Sequence, residues 1–143
     1  MSNFVEKLKE MMADENLTQI ELSKRTGIIH TTLSGLLSGK HTPNYKSFVN
    51  IMLYFDCSAD YLLGLTEIHT EEKLYMPVAF NQNLRKILGE KEISQEKLKR
   101  DLSISGSVLF KWLKGRAQPS MHSLIELARY FDCSVDYLIG RRK

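Results

Sequence analysis

Apolar residues recur at steps of three and four along most of the chain, beginning with Phe4, Leu8, Met11 and Met12, a spacing that gathers them on one face of a first helix. No run alternates apolar and polar residues for the length of a strand, so the pattern predicts helices throughout. Thr18-Gln19-Ile20-Glu21 has the form of a capping box and opens a second helix, which Gly27 stops. Ile28 to Leu37 form a third, ended by Gly39. Pro43 and Asn44 announce a fourth, and Ser58 caps a short fifth that stops at Gly64.

The same pattern then occurs again. Pairing each residue from 4 to 64 with the residue 76 positions later needs no gap and gives 19 identities in 61 pairs. The densest stretch sets Tyr54-Phe55-Asp56-Cys57-Ser58-Ala59-Asp60-Tyr61-Leu62-Leu63-Gly64 beside Tyr130-Phe131-Asp132-Cys133-Ser134-Val135-Asp136-Tyr137-Leu138-Ile139-Gly140. An internal repeat of this size predicts two like domains, at 1–66 and 80–143. Residues 67–79 read as the linker between them, a charged piece followed by an apolar one, Leu74-Tyr75-Met76-Pro77-Val78.

Within each copy the second and third helices are separated by a tight turn, the arrangement that inserts a helix into a DNA major groove. Leu22, Ile28, Leu33 and Leu36 would close the two helices on each other, Ser23 is small where they approach, and Gly27 can take the positive φ of the turn. With the Thr/Ser-Gln start of the second helix, the Gly-Lys/Arg-x-x-Pro after the third and the closing Asp-Tyr-Leu-x-Gly, the chain resembles two copies of the Cro/repressor-type (Xre-like) helix-turn-helix family. The implied fold is all-α, two tandem five-helix lambda-repressor-like DNA-binding domains. The implied function is sequence-specific binding of double-stranded DNA by a transcriptional regulator, of repressor type. A protein-interaction module of antitoxin or adaptor type on the same fold is the alternative.

Carried over position by position, the resemblance implies that Gln19 and Gln95 meet the DNA backbone or the edge of the site. It implies that His30, Thr31, Thr32 and Ser34 in the first copy, and Gly106, Ser107, Phe110 and Lys111 in the second, face the groove. Lys111 suits a guanine edge, and the threonine methyls and Phe110 suit thymine methyl groups. Lys40, His41, Lys114 and Arg116 would hold phosphates. Where family members often pair an arginine late in the first helix with a glutamate late in the third, this chain has Met12 with Leu37 and Leu88 with Leu113, a hydrophobic substitution made in both copies. The second copy departs further, with Lys99 in place of Ser23, Ser103 in place of Gly27, and Gly106 where a polar reader is expected.

Charge adds a division between the copies. The net charge of +3 is small, but residues 1–66 carry six Lys/Arg against seven Asp/Glu, whereas 80–143 carry thirteen against seven. Motif fidelity therefore favours the first copy for sequence discrimination, and charge favours the second for electrostatic affinity. Lys97, Lys99 and Arg100 read equally as part of that charge or as a solvated helix face. Phe110 cannot be buried together with Leu109, Trp112 and Leu113, and is either a base contact or part of an interface. A homodimer through the linker or the Phe110 surface follows as an expectation.

Other classes find little support. Cys57 and Cys133 are too few for a disulfide framework or a paired zinc site and read as small buried hydrophobes, and the four histidines show no ligand spacing. No metal, cofactor or small-molecule ligand is expected. No phosphate loop or nucleophile with its base is evident, so no enzyme is expected. No apolar run approaches a membrane span and the N-terminus lacks the form of a signal peptide, which predicts a cytoplasmic protein without a membrane partner.

Overall fold

A computed structural model of the chain describes residues 2–68 and 73–142. The first unit holds α1 (Ser2–Asp14), α2 (Gln19–Thr26), α3 (His30–Leu37), α4 (Tyr45–Phe55) and α5 (Ala59–Leu62). The second holds α6 (Phe80–Glu90), α7 (Gln95–Leu102), α8 (Gly106–Leu113), α9 (Met121–Phe131) and α10 (Val135–Leu138). The fold is thus all-helical among the described residues, five helices to a unit.

The capping box is present in full: Glu21 donates its amide to Thr18 Oγ1 at 3.1 Å, and Thr18 donates its own to Glu21 Oε1 at 3.2 Å. The bond from the Thr18 amide, then one from its hydroxyl to the same Oε1 at 3.0 Å, holds the Glu21 carboxyl below its ordinary pKa. Gly27 ends α2 in the left-handed region with φ 76°, as the turn requires. Its counterpart Ser103 takes the same conformation with φ 53°, so the turn survives the loss of glycine. Ile28 is buried but lies outside α3, which starts two residues later. Asn44, Ser58, Ser94, Ser105, Ser120 and Ser134 each accept a backbone N–H at a helix start.

In the first unit α2 packs on α3 and α4, and α1 on α3 and α5; in the second α6 packs on α8 and α10. Phe4, Leu8, Leu22, Leu33, Leu36, Phe48 and Leu62 fill the first core; Phe80, Leu84, Leu98, Leu109, Trp112, Leu124 and Leu138 fill the second. Each first-helix phenylalanine meets a ring from another helix, and that helix differs between the units. Phe4 lies 6.3 Å from Phe48 of α4, and Phe80 lies 6.1 Å, edge to face, from Trp112 of α8. A large ring and a leucine have exchanged places, Leu36 with Phe48 in the first unit standing where Trp112 with Leu124 stand in the second.

The chain divides into units Met1–Glu72 and Lys73–Lys143. Both ends of the span read as linker are tied down. Glu67 takes an ion pair from Lys7 at 2.8 Å, which raises the lysine pKa, and Lys7 lies 4.6 Å over the Tyr61 ring. Tyr75 donates its amide to the Arg141 carbonyl and Val78 to that of Ile139, while Arg141 Nε returns a bond to the Tyr75 carbonyl. The apolar piece around Tyr75 is therefore an extended strap on the second unit, with Arg141 and Asp136 buried beneath it, 3.8 Å apart. Residues 69–72 of that span lie outside the described residues.

Candidate nucleic-acid interface

In the first unit the periodicity of α3 turns Leu33, Gly35 and Leu36 inward and leaves His30, Thr31, Thr32 and Ser34 exposed. Gln19, the first residue of α2, is half-buried and lines a shallow cleft with Ser34, Met12 and Leu37. This cleft occupies the place of the family ion pair. Met12 is buried and Leu37 partly so, while both Leu88 and Leu113 are buried in the second unit. Lys40 is exposed after α3. The His41 ring lies against Gly35, where even a methyl group would collide with it.

Two isoleucines on this surface carry no obvious signal in the sequence. Ile20 is 58% and Ile29 71% exposed, and Ile29 stands at the N-cap of α3 without a side chain able to cap it. Its counterpart Ser105 accepts from Val108 N–H at 3.1 Å. The first recognition surface is thus largely uncharged, with Lys40 its cation nearest the recognition helix among the positions expected there.

The second unit presents a different surface. Leu109, Trp112 and Leu113 are buried; Gln95, Gly106, Ser107, Val108, Phe110, Lys111, Lys114 and Arg116 are exposed. Phe110 is 49% exposed and flanked by cations, Lys114 Nζ at 5.8 Å and Arg116 Cζ at 5.6 Å from the ring centre. Such contacts favour the charged heads without removing them from solvent. Three residues expected to act separately, Phe110 and two phosphate-holding cations, therefore form one cluster. In place of Gly35 and His41 this unit has Lys111 and Ala117, so the position covered by an imidazole in the first unit carries a lysine in the second.

Two further contacts depend on the fold. Arg85 of α6 donates to the Leu113 carbonyl at 3.0 Å, tying the first helix to the end of the recognition helix. Lys99 of α7 sends its ammonium to Glu96 at 2.8 Å and to within 3.9 Å of the point where a Cβ on Gly106 would lie. Among the described residues no group of three or more His, Cys, Asp or Glu is placed to hold a metal ion, and no helix is long and apolar enough to cross a membrane.

Two short helices joined by a tight turn, the second exposed along one face and anchored by the other, define a helix-turn-helix protein, and the chain contains that unit twice. The chain belongs to the helix-turn-helix family, of Xre-like type, which it matches over residues 8–62 and again over 84–138. This is a class of DNA-binding transcription regulators, not of enzymes. Over 61 residues, 43% of its length, the chain is 32% identical to the HTH-type transcriptional activator BcrR of Enterococcus faecalis, of which that stretch covers 30%. Over 89 residues, 62% of its length, it is 30% identical to the uncharacterized HTH-type transcriptional regulator YqaE of Bacillus subtilis (strain 168), covering 70% of that protein. No solved structure matches the chain.

Proposed function

We propose that the chain binds specific sites on double-stranded DNA through α3 and α8 and represses transcription by occupying them. Gln19, His30, Thr31, Thr32 and Ser34 discriminate sequence, with Lys40 and His41 on phosphates. Gln95, Ser107, Lys111, Lys114 and Arg116 supply mainly sequence-independent affinity, and the tether raises the effective concentration of each unit for the other. The observation that supports this reading best is the contrast between the two recognition surfaces, one largely uncharged and one carrying Lys111, Lys114 and Arg116 beside Phe110. A target in cellular DNA is also the reason for proposing a cytoplasmic place of work.

The test is fluorescence anisotropy with a mixed-sequence duplex between about 50 and 200 mM salt, where each neutralised phosphate adds roughly 0.9 to the log–log slope. Replacing Lys111, Lys114 and Arg116 by serine should lower that slope by about 1 for each lost contact and weaken all duplexes alike. A changed sequence preference would overturn the division of labour. The name of the enterococcal relative contains the competing output, activation. A reporter with the selected site placed across its promoter separates the two, repression lowering expression and activation raising it.

A second reading, protein interaction, is favoured by Ile20, Ile29, Val108 and Phe110, all exposed on or beside the recognition helices. It predicts no duplex binding even at low salt. In its homodimer form, through the Phe110 surface or the Tyr75 strap, light scattering should find twice the chain mass of 16.5 kDa, falling to one for Phe110→Ser or for a Tyr75→Ser/Met76→Ser pair.

A further inference from the structure

Three positions at which the copies differ meet at one place. Where the first unit has Ile20, Ser23 and His30, the second has Glu96, Lys99 and Gly106. In the first unit Ser23 is short enough to sit between α2 and α3, where its hydroxyl donates to the Ile28 carbonyl, and His30 supplies an exposed side chain at the start of the recognition helix. In the second, Gly106 supplies none. Lys99 comes from the neighbouring helix, its side chain only 28% exposed, and brings its ammonium over that vacant position.

We infer, resting on the DNA-binding reading above, that Lys99 reads a guanine in the major groove in place of the side chain that Gly106 lacks. The placement has costs as well as a gain: in the last turn of α7 a cation suits the helix dipole, but its head lies at the start of α8, where it opposes that helix's dipole, and a lysine at a packed position gives up rotamer freedom. Glu96, 80% exposed at its side chain, offsets the first cost by pairing with the ammonium, and so acts as a positioning residue. A lysine has donors only, and guanine presents two acceptors, N7 and O6, on its groove edge, so guanine is the base that such a group selects. The glycine is the other half of the device, since a larger residue there would stand where the ammonium lies.

The test uses the full chain and a randomised duplex library. Wild type and Lys99→Arg should both enrich a guanine at one position; Lys99→Met, which keeps the aliphatic stem, should lose that preference and retain all others. Replacing that guanine by 7-deazaguanine should weaken wild type about tenfold or more, and Lys99→Met not at all. Gly106→His, which restores the first unit's residue, should displace the lysine and also abolish the guanine preference. If Lys99→Met enriches the same sequences as wild type, the inference is overturned. It is overturned equally if Lys99→Met loses affinity for every duplex with a salt slope lower by about 1, the mark of a phosphate contact. A wild-type chain that retains no duplex even at low salt would instead reject DNA binding itself, and the inference with it.

Discussion

The first unit has the better turn between its second and third helices, and the second unit has the better helix start after it. Gly27 adopts φ 76° without steric cost, but the helix that follows begins at an exposed isoleucine that cannot cap it. Ser103 is held at φ 53°, where a side chain is strained, but Ser105 then caps α8. Each copy therefore shows which residue the other could have used. The fold tolerates both choices, so what differs at these positions is free to serve binding: the uncapped Ile29 enlarges an uncharged surface, and the polar start of α8 leaves room for Lys99.

The largest effect should come from the exchanged core rings. Trp112→Leu removes the ring that Phe80 meets edge to face, and emptying a buried aromatic site should cost the second unit about 3 kcal/mol. Adding Leu124→Phe copies the first unit's arrangement and should recover at least about 1 kcal/mol, a coupling expected only between residues that share a cavity. Native-state hydrogen exchange of α8 and α9 amides in the full chain gives both values. Strict additivity would show that the two cores are not alternative fillings of one shape.

Asn83 comes next. Its buried amide donates to the carbonyls of Tyr137 and Leu138 at 2.9 and 2.6 Å, clamping α6 to the end of α10, a task that Lys7, Tyr61 and Glu67 perform with charge in the first unit. Asn83→Ala strands both carbonyls and should cost about 2 kcal/mol, read as earlier exchange of α6 and α10 amides. At 0.5 M salt the loss should be unchanged, because neither partner carries a charge.

What the sequence disclosed and what it hid divide along the same line. Helix starts and stops were legible because they are local: Thr18 and Glu21 are three residues apart, and Gly27 acts at its own φ. The duplication was legible because it preserved register. The buried set Leu22, Ile28, Leu33 and Leu36 followed from the packing that two short helices joined by a tight turn require, and the exposure of His30, Thr31 and Lys111 from the family resemblance. Hidden were contacts that exist only once helices are placed. Nothing along the chain connects Arg85 to the Leu113 carbonyl, Lys99 to Gly106, or Tyr75 to Arg141, and Lys99 read equally well as part of a solvated face. Ile29 was hidden for another reason: counted as an apolar residue beside Ile28 it looks like core, and only the turn geometry separates the two.

Two smaller stabilisations follow from the turns. Ile29→Ser supplies the missing cap and should stabilise the first unit by about 1 kcal/mol. Ser103→Gly relieves the left-handed residue and should stabilise the second by a similar amount, about 1 kcal/mol, less whatever the freer unfolded chain recovers. Both appear as slower exchange of α3 and of α7–α8 amides. If Ile29→Ser also weakens binding to a selected duplex, stability and recognition compete at this residue; unchanged binding would make the isoleucine an unforced loss.

The smallest effect distinguishes the copies by pH. Both anchor α2 or α7 through a tyrosine on the fourth helix of the unit, with charges reversed: Arg25 Nη1 donates to Tyr54 at 2.6 Å, whereas Tyr130 donates to Asp101 at 2.6 Å, beside Lys97. The bond from Lys97, then that from Tyr130, holds the Asp101 carboxyl below its ordinary pKa. A carboxyl depressed in the folded state stabilises it above the unfolded value of about 3.9, and that contribution fades as pH falls through the lower folded one. The Arg25–Tyr54 bond contains no carboxyl group. On acidification from pH 7 to 2 the Tyr130 ring resonances should therefore move below about pH 3.9, while those of Tyr54 stay until the chain unfolds. Asp101→Asn should flatten the Tyr130 response. Were both rings to shift together, the carboxylate would not be the anchor, and the two tyrosines would owe their places to packing alone.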